Sequence, residues 1–188
     1  MPLVGRRRFV CGLAAAAVWL CAAASAAQTA NAPALKAAFL YNVVKFTEWP
    51  ADAVAPNAPL TLCVVDDSAV AEALAQATKG QQIDGHPIVV ARPKADGALR
   101  TCSLLYAGRM DEKRAVEMLD AVRGAPVFAV SDLKSFALLG GTAQLYVEDG
   151  RMRFAVNLAS AQRGKLRLSA QLLSLAKLVK DDPNAISR

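Results

Sequence analysis

The sequence predicts an α/β fold: a single domain with a mostly parallel sheet flanked by helices and a C-terminal antiparallel hairpin. Two observations carry that expectation. Short β-branched apolar runs alternate with amphipathic helical stretches through the middle of the chain, the order that builds parallel sheets. Further on, Asp149-Gly150 separates two apolar runs and is the strongest short hairpin signal present.

The elements follow in order. An opening helix is expected from Ala34 to about Thr47, because Leu35, Phe39, Val43 and Phe46 recur at helical spacing with Lys36, Asn42 and Lys45 between them. Trp49-Pro50 stops it, since the residue before a proline is pushed out of the helical region. Leu60 to Val65 reads as a buried strand. Asp66-Asp67-Ser68 supplies helix-start chemistry for Ala69 to Thr78, and Gly80 supplies the stop. His86 to Ala91 and Ser103 to Ala107 are the second and third strands. Asp111 to Val122 is a charged amphipathic helix ending at Gly124, and Val127 to Val130 is a further strand. A short helix is expected around Leu133 to Leu139, ending at Gly140-Gly141. The hairpin joins Ala143–Glu148 to Met152–Asn157 as an antiparallel edge. A last helix, about Ser169 to Lys180, is expected to bury Leu172, Leu175, Ala176 and Val179. Asp181-Asp182-Pro183 ends it.

The N-terminus reads as an export signal. Arg6, Arg7 and Arg8 precede an uncharged run of 16 residues from Phe9 to Ala24, and Ala24-Ser25-Ala26 offers a small-x-small cleavage site. The run is shorter than the roughly 20 residues a membrane anchor needs. A twin-arginine signal would carry Ser or Thr where Gly5 stands, which leaves both export routes open. The expected organisation is therefore a cleaved signal over 1–26, an α/β domain over 27–182 and a loose tail over 183–188.

Cleavage changes the chain's chemistry. The net charge of +6 falls by the three signal arginines to +3, too small and too dispersed to imply nucleic-acid binding. Cys11 and Cys21 leave with the signal. Cys63 and Cys102 remain, and an even pair in an oxidising compartment favours a disulfide over two free thiols or a metal site. Such a bond would tie the first strand to the start of the third, and closing its loop of about 40 residues stabilises by roughly 4 kcal/mol.

Catalytic patterns are scarce. His86 is the only histidine, and Gly85-His86-Pro87 at a strand entrance fits a structural residue better than a hydrolase base. No glycine-rich phosphate loop follows the first strand, and no Cys-x-x-Cys occurs. Asp66-Asp67 resembles the magnesium-binding pair of receiver domains, but Leu104-Leu105-Tyr106-Ala107-Gly108 lacks the acceptor aspartate, so capping is the preferred role. Glu148 and Asp149 alternate across a strand and read as turn chemistry. Arg153, Arg163, Lys165 and Arg167, with Arg151 nearby, form the candidate for binding an anion or a partner. No metal and no cofactor is expected.

Two blocks resemble a known family. Leu35-Lys36-Ala37-Ala38-Phe39-Leu40-Tyr41-Asn42-Val43-Val44-Lys45-Phe46-Thr47-Glu48-Trp49-Pro50 resembles the opening signature of the YfiR family of periplasmic bacterial proteins. Gly140-Gly141, Arg151-Met152-Arg153-Phe154-Ala155-Val156-Asn157 and the leucine-rich stretch from Ser169 resemble that family's C-terminal block. The signature positions are Lys36, Phe39, Tyr41, Asn42, Lys45, Phe46, Trp49, Pro50, Phe154 and Asn157. The resemblance implies a non-enzymatic repressor that binds the periplasmic sensor region of an inner-membrane diguanylate cyclase and lowers cyclic-di-GMP synthesis. It further implies sequestration by an outer-membrane peptidoglycan-associated lipoprotein, a homodimer, and a family disulfide at Cys63 and Cys102. A second disulfide of some relatives has no counterpart, since no cysteine follows Cys102, and a redox-sensing role loses its basis. The rival function is a small-ligand module that takes an anionic cell-wall fragment or amino acid on the arginine cluster.

Overall fold

The computed structural model describes residues 32–182; the expected signal peptide, its cysteines and the expected 183–188 tail lie outside them. Helix α1 covers 32–45. It ends two residues before the expected limit because Phe46 N–H bonds the Val43 carbonyl and the Thr47 hydroxyl donates to the same oxygen at 2.8 Å. Thr47–Glu48 (β1) instead pairs antiparallel with Arg167–Leu168 (β9).

The main sheet follows the predicted alternation. Strand β2 is Leu60–Val65, and α2 is Ser68–Ala77, capped by the Asp67 side chain on Val70 N–H. The two-residue β3, Gln82–Ile83, runs antiparallel to β4, His86–Ala91. A 3₁₀ turn at Leu99–Thr101 leads into β5, Leu104–Ala107. Helix α3, Glu112–Val122, starts on an Asp111 cap and is followed by β6, Phe128–Ser131. The hairpin is β7, Ala143–Glu148, and β8, Arg151–Asn157, turning through Asp149 and Gly150, both at positive φ. Then come α4, Leu158–Arg163, and α5, Ala170–Ser174, flanking β9, and finally β10, Lys177–Val179.

Strand order is β10-β8-β7-β6-β5-β2-β4-β3, with β4, β2, β5, β6 and β7 parallel. The sheet separates two apolar layers. Ala37, Leu40, Val43 and Val44 of α1 pack with α2 on one face, beside Leu62, Tyr106, Phe128 and Leu145. Ala115, Met118, Leu119 and Val122 of α3 cover the other, beside Cys63, Leu105 and Phe136. Cys63 and Cys102 are disulfide-bonded with Cα atoms 5.8 Å apart, linking β2 to the residue pair that leads into β5.

Three expectations need correction. Residues 133–139 form turns rather than a helix, with Ser135 held at φ 70°, a conformation no right-handed helix accommodates. The final helix stops at Ser174, whose hydroxyl bonds back to the Gln171 carbonyl and competes with helix continuation. Lys177–Val179 then pair in parallel with Ala155–Asn157, which leaves Leu175 70% exposed rather than buried. That pairing also places β8 one strand inside the edge, so the hairpin is not the sheet's margin.

Candidate functional site

The ligand crevice of a doubly wound sheet lies beyond the carboxyl ends of its strands, where the strand order reverses, here between β2 and β5. In this protein its own side chains occupy that place. Lys36 reaches down from α1 to pair with Asp132 at 2.5 Å, stands 3.9 Å from Asp67, and lies 5.7 Å above the Tyr106 ring. A Cβ on Gly108 would lie 2.6 Å from that of Asp67, so the two strand ends touch. Asp66 pairs with Arg114 at 2.9 Å and Asp67 caps α2, the capping role expected of this acidic pair. The Tyr106 hydroxyl is buried and makes no hydrogen bond among the described residues. Burial first, then the nearby Asp132 and Asp67 carboxylates, raise its pKa far above the ordinary value, so it stays protonated.

The more open chemistry lies on the flank of α1. Phe39 and Phe46 stand beside the buried stripe of the helix, and the Phe39 ring meets Phe154 of β8 with centroids 4.9 Å apart at 58°. Phe154 faces α1 because Leu145, its partner across the β7–β8 ladder, belongs to the core on that side. Together with Val43, Leu172 and Leu175 these rings line a groove of about 280 Å³, and Asn42 and Gln171 contribute amides to it. The lining carries no titratable group. Such a surface binds apolar side chains and offers hydrogen bonds at its rim, but it has nothing with which to move a proton.

The remaining signature residues hold the fold. The Trp49 indole N–H donates to the Ser103 carbonyl at 3.1 Å, and Trp49 and Pro50 border a second hollow of about 530 Å³ with Val54, Asp84 and His86. His86 Nδ1 lies 2.8 Å from the Ala58 carbonyl, which fixes the Nδ1–H tautomer and gives the ring a structural bond. Tyr41 donates to Gln81 Oε1 at 3.4 Å, and Lys45 sits 5.5 Å from the Tyr41 ring centre. Asn157 is buried; it donates to the Ala137 carbonyl and to Asp181, and it accepts from Ser160 N–H as the cap of α4.

The basic residues are not gathered into one pocket. Arg153 projects from β8 on the face opposite Phe154. Arg163 forms a two-point pair with Asp181 at 2.6 and 3.3 Å. Arg167 stands 3.7 Å from Glu48, and Lys165 is exposed in the turn after α4. Desolvation alone would raise the Asp181 pKa, but hydrogen bonds from Arg163 and Asn157 and the Arg163 charge outweigh it and leave the carboxyl below 3.8.

The sequence marks Phe39, Phe46 and Phe154 as signature residues but does not show that they share a groove, nor that Gln171, Leu172 and Leu175 form its other wall. The spacing of those leucines marks a buried helix face, and only the pairing of β10 shows that the helix ends early.

The profile of the YfiR/HmsC-like family matches residues 33–177, which include both signature blocks and the groove they build. This chain belongs to the YfiR/HmsC-like family. YfiR-family proteins are periplasmic and generally act as non-enzymatic regulators. Among solved structures, the crystal structure of a conserved domain protein from Vibrio cholerae O1 biovar El Tor strain N16961 is similar at 15% identity and a TM-score of 0.49. The likeness covers 69% of this chain and 57% of that one.

Proposed function

We propose that this YfiR-family protein is an exported, non-enzymatic repressor that docks on the periplasmic sensor region of an inner-membrane diguanylate cyclase and lowers cyclic-di-GMP synthesis. The observation that carries the reading is the groove between α1 and β8. Phe39, Asn42 and Phe46 of the first signature meet Phe154 of the second there, around an apolar hollow without titratable groups. Docking represses only through unequal affinity. A ligand that binds both states of the sensor equally shifts nothing, and a tenfold fall in the ratio of active to inactive sensor needs about tenfold tighter binding to the inactive state, roughly 1.4 kcal/mol. Homodimerisation and sequestration by an outer-membrane lipoprotein are compatible with this role.

Deleting the gene in its native host tests the proposal. Cyclic-di-GMP is expected to rise and to fall again on complementation; an unchanged level in a strain with an intact partner cyclase would contradict it. A small-ligand role has one specific observation in its favour, the hollow bordered by Trp49 and His86. Trp49 is one of two tryptophans, and the other, Trp19, lies in the expected signal, so ligand titrations of mature protein would report on Trp49 fluorescence.

A further inference from the structure

The hairpin arm carries a second surface that the groove does not use. Strand β10 accompanies β8 only over Ala155–Asn157. Upstream, Arg151 to Phe154 pair with β7 on one side, and among the described residues no strand lies on the other. A strand paired on one edge alone presents alternate N–H and C=O groups outward, and such an edge templates another strand. The notch in line with β10 is therefore an unfilled position in the sheet.

Its two faces differ in chemistry because side chains alternate. Met152 and Phe154 pack toward α1, and Phe154 shares the groove with exposed Leu175. Arg151 and Arg153 project to the opposite face, both exposed, and neither has an ion pair among the described residues. Exposed Lys177, whose Cα partner is Ala155, stands on that same face. Glu148, across the ladder from Arg151, is the one carboxylate that shares their register.

The geometry points to an extended segment of a partner protein, alternating acidic and apolar residues, that adds to the sheet beside Arg151–Phe154. This deepens the docking reading and rests on it. Carboxylates at alternate positions would meet Arg151, Arg153 and Lys177, and the apolar residues between them would continue the Met152–Phe154 row into the groove at Leu175. A second copy of this chain is the wrong occupant. Its own edge would bring Arg151, Arg153 and Lys177 against the same charges, and like charges opposed across strands destabilise the pairing.

Labelled capped peptides of four Glu-Val repeats and four Lys-Val repeats test the inference on mature protein, residues 27–188. The acidic peptide is expected to bind at least tenfold tighter than the basic one and to slow amide exchange at 151–154. Arg153→Glu with Lys177→Glu, both surface positions, is expected to reverse the preference. Equal binding of the two peptides, no binding of the acidic one, protection confined to β3, or self-association through the notch would each overturn it. The cyclase sensor region separates the two levels of argument. If the double variant binds that region as the wild type does, the notch assignment fails while the docking reading stands; if the wild type does not bind it, the docking reading fails.

Discussion

The Phe39 ring leans against the Phe154 ring, and that single contact joins α1 to β8 in the aromatic half of the groove. Residues from opposite ends of the domain thus depend on each other for position. The groove exists only when the sheet is complete through β8.

Stability and docking should separate at this site. Phe154→Ala removes a half-buried ring and is expected to cost about 2–3 kcal/mol in urea unfolding, the low end for a phenylalanine because part of the ring is already wet. Leu175→Ser removes an exposed side chain and should change stability by less than about 0.5 kcal/mol while weakening binding to the cyclase sensor region at least tenfold. Normal binding by the stable Leu175→Ser protein would take the groove out of the account.

The disulfide should matter to folding rather than to signalling. Replacing Cys63 and Cys102 with alanine is expected to lower stability by about 4 kcal/mol, or roughly 8–16 °C in Tm for a domain of this size. Calorimetry checks this. A Tm unchanged by the substitutions or by reductant would contradict it.

Asp181 gives the C-terminal edge an acid-sensitive clasp. Its folded pKa lies below the ordinary 3.8, so its contribution is full above pH 4 and is lost as pH falls through the lower, folded value. The side chain is partly exposed, so the effect is small. Wild type is expected to exceed Asp181→Asn in urea midpoint at pH 6, with the gap closing as the pH falls progressively below 3.8. A gap that persists or widens in acid would refute the clasp.

Tyr106→Phe deletes a buried hydroxyl that has no hydrogen-bond partner among the described residues. The substitution is expected to change stability by less than about 1 kcal/mol, because the nearby Asp132 carboxylate makes no bond of ordinary geometry with the hydroxyl and no polar group stays buried unsatisfied. A loss above 1 kcal/mol in urea unfolding would mean the hydroxyl has a partner after all.

Much of this architecture was legible in local pattern. Strands β2 and β4 match their expected limits, and the Asp149-Gly150 turn sits where its chemistry demands, because both residues adopt the positive φ such a turn requires. Where the reading failed, distant pairing overrode local preference. Leu172, Leu175 and Val179 have helical spacing, yet the open edge of β8 recruits Lys177–Val179 as a strand. The two-residue strands β1, β3 and β9 are too short to show any period and exist only through their partners. The groove was half visible. Phe39, Phe46 and Phe154 stood out as signature residues, but nothing local shows that two of them touch. Proximity in sequence did not reveal that Arg163 already has Asp181 and that Arg153 faces away from the groove.

The most direct test reconstitutes the partner cyclase in proteoliposomes, with its periplasmic region accessible, and measures cyclic-di-GMP synthesis while purified mature protein is titrated in. Synthesis is expected to fall to a saturable floor with wild type and to stay near its starting rate with Leu175→Ser. Synthesis that is unchanged when the wild-type complex is fully formed would contradict repression by docking.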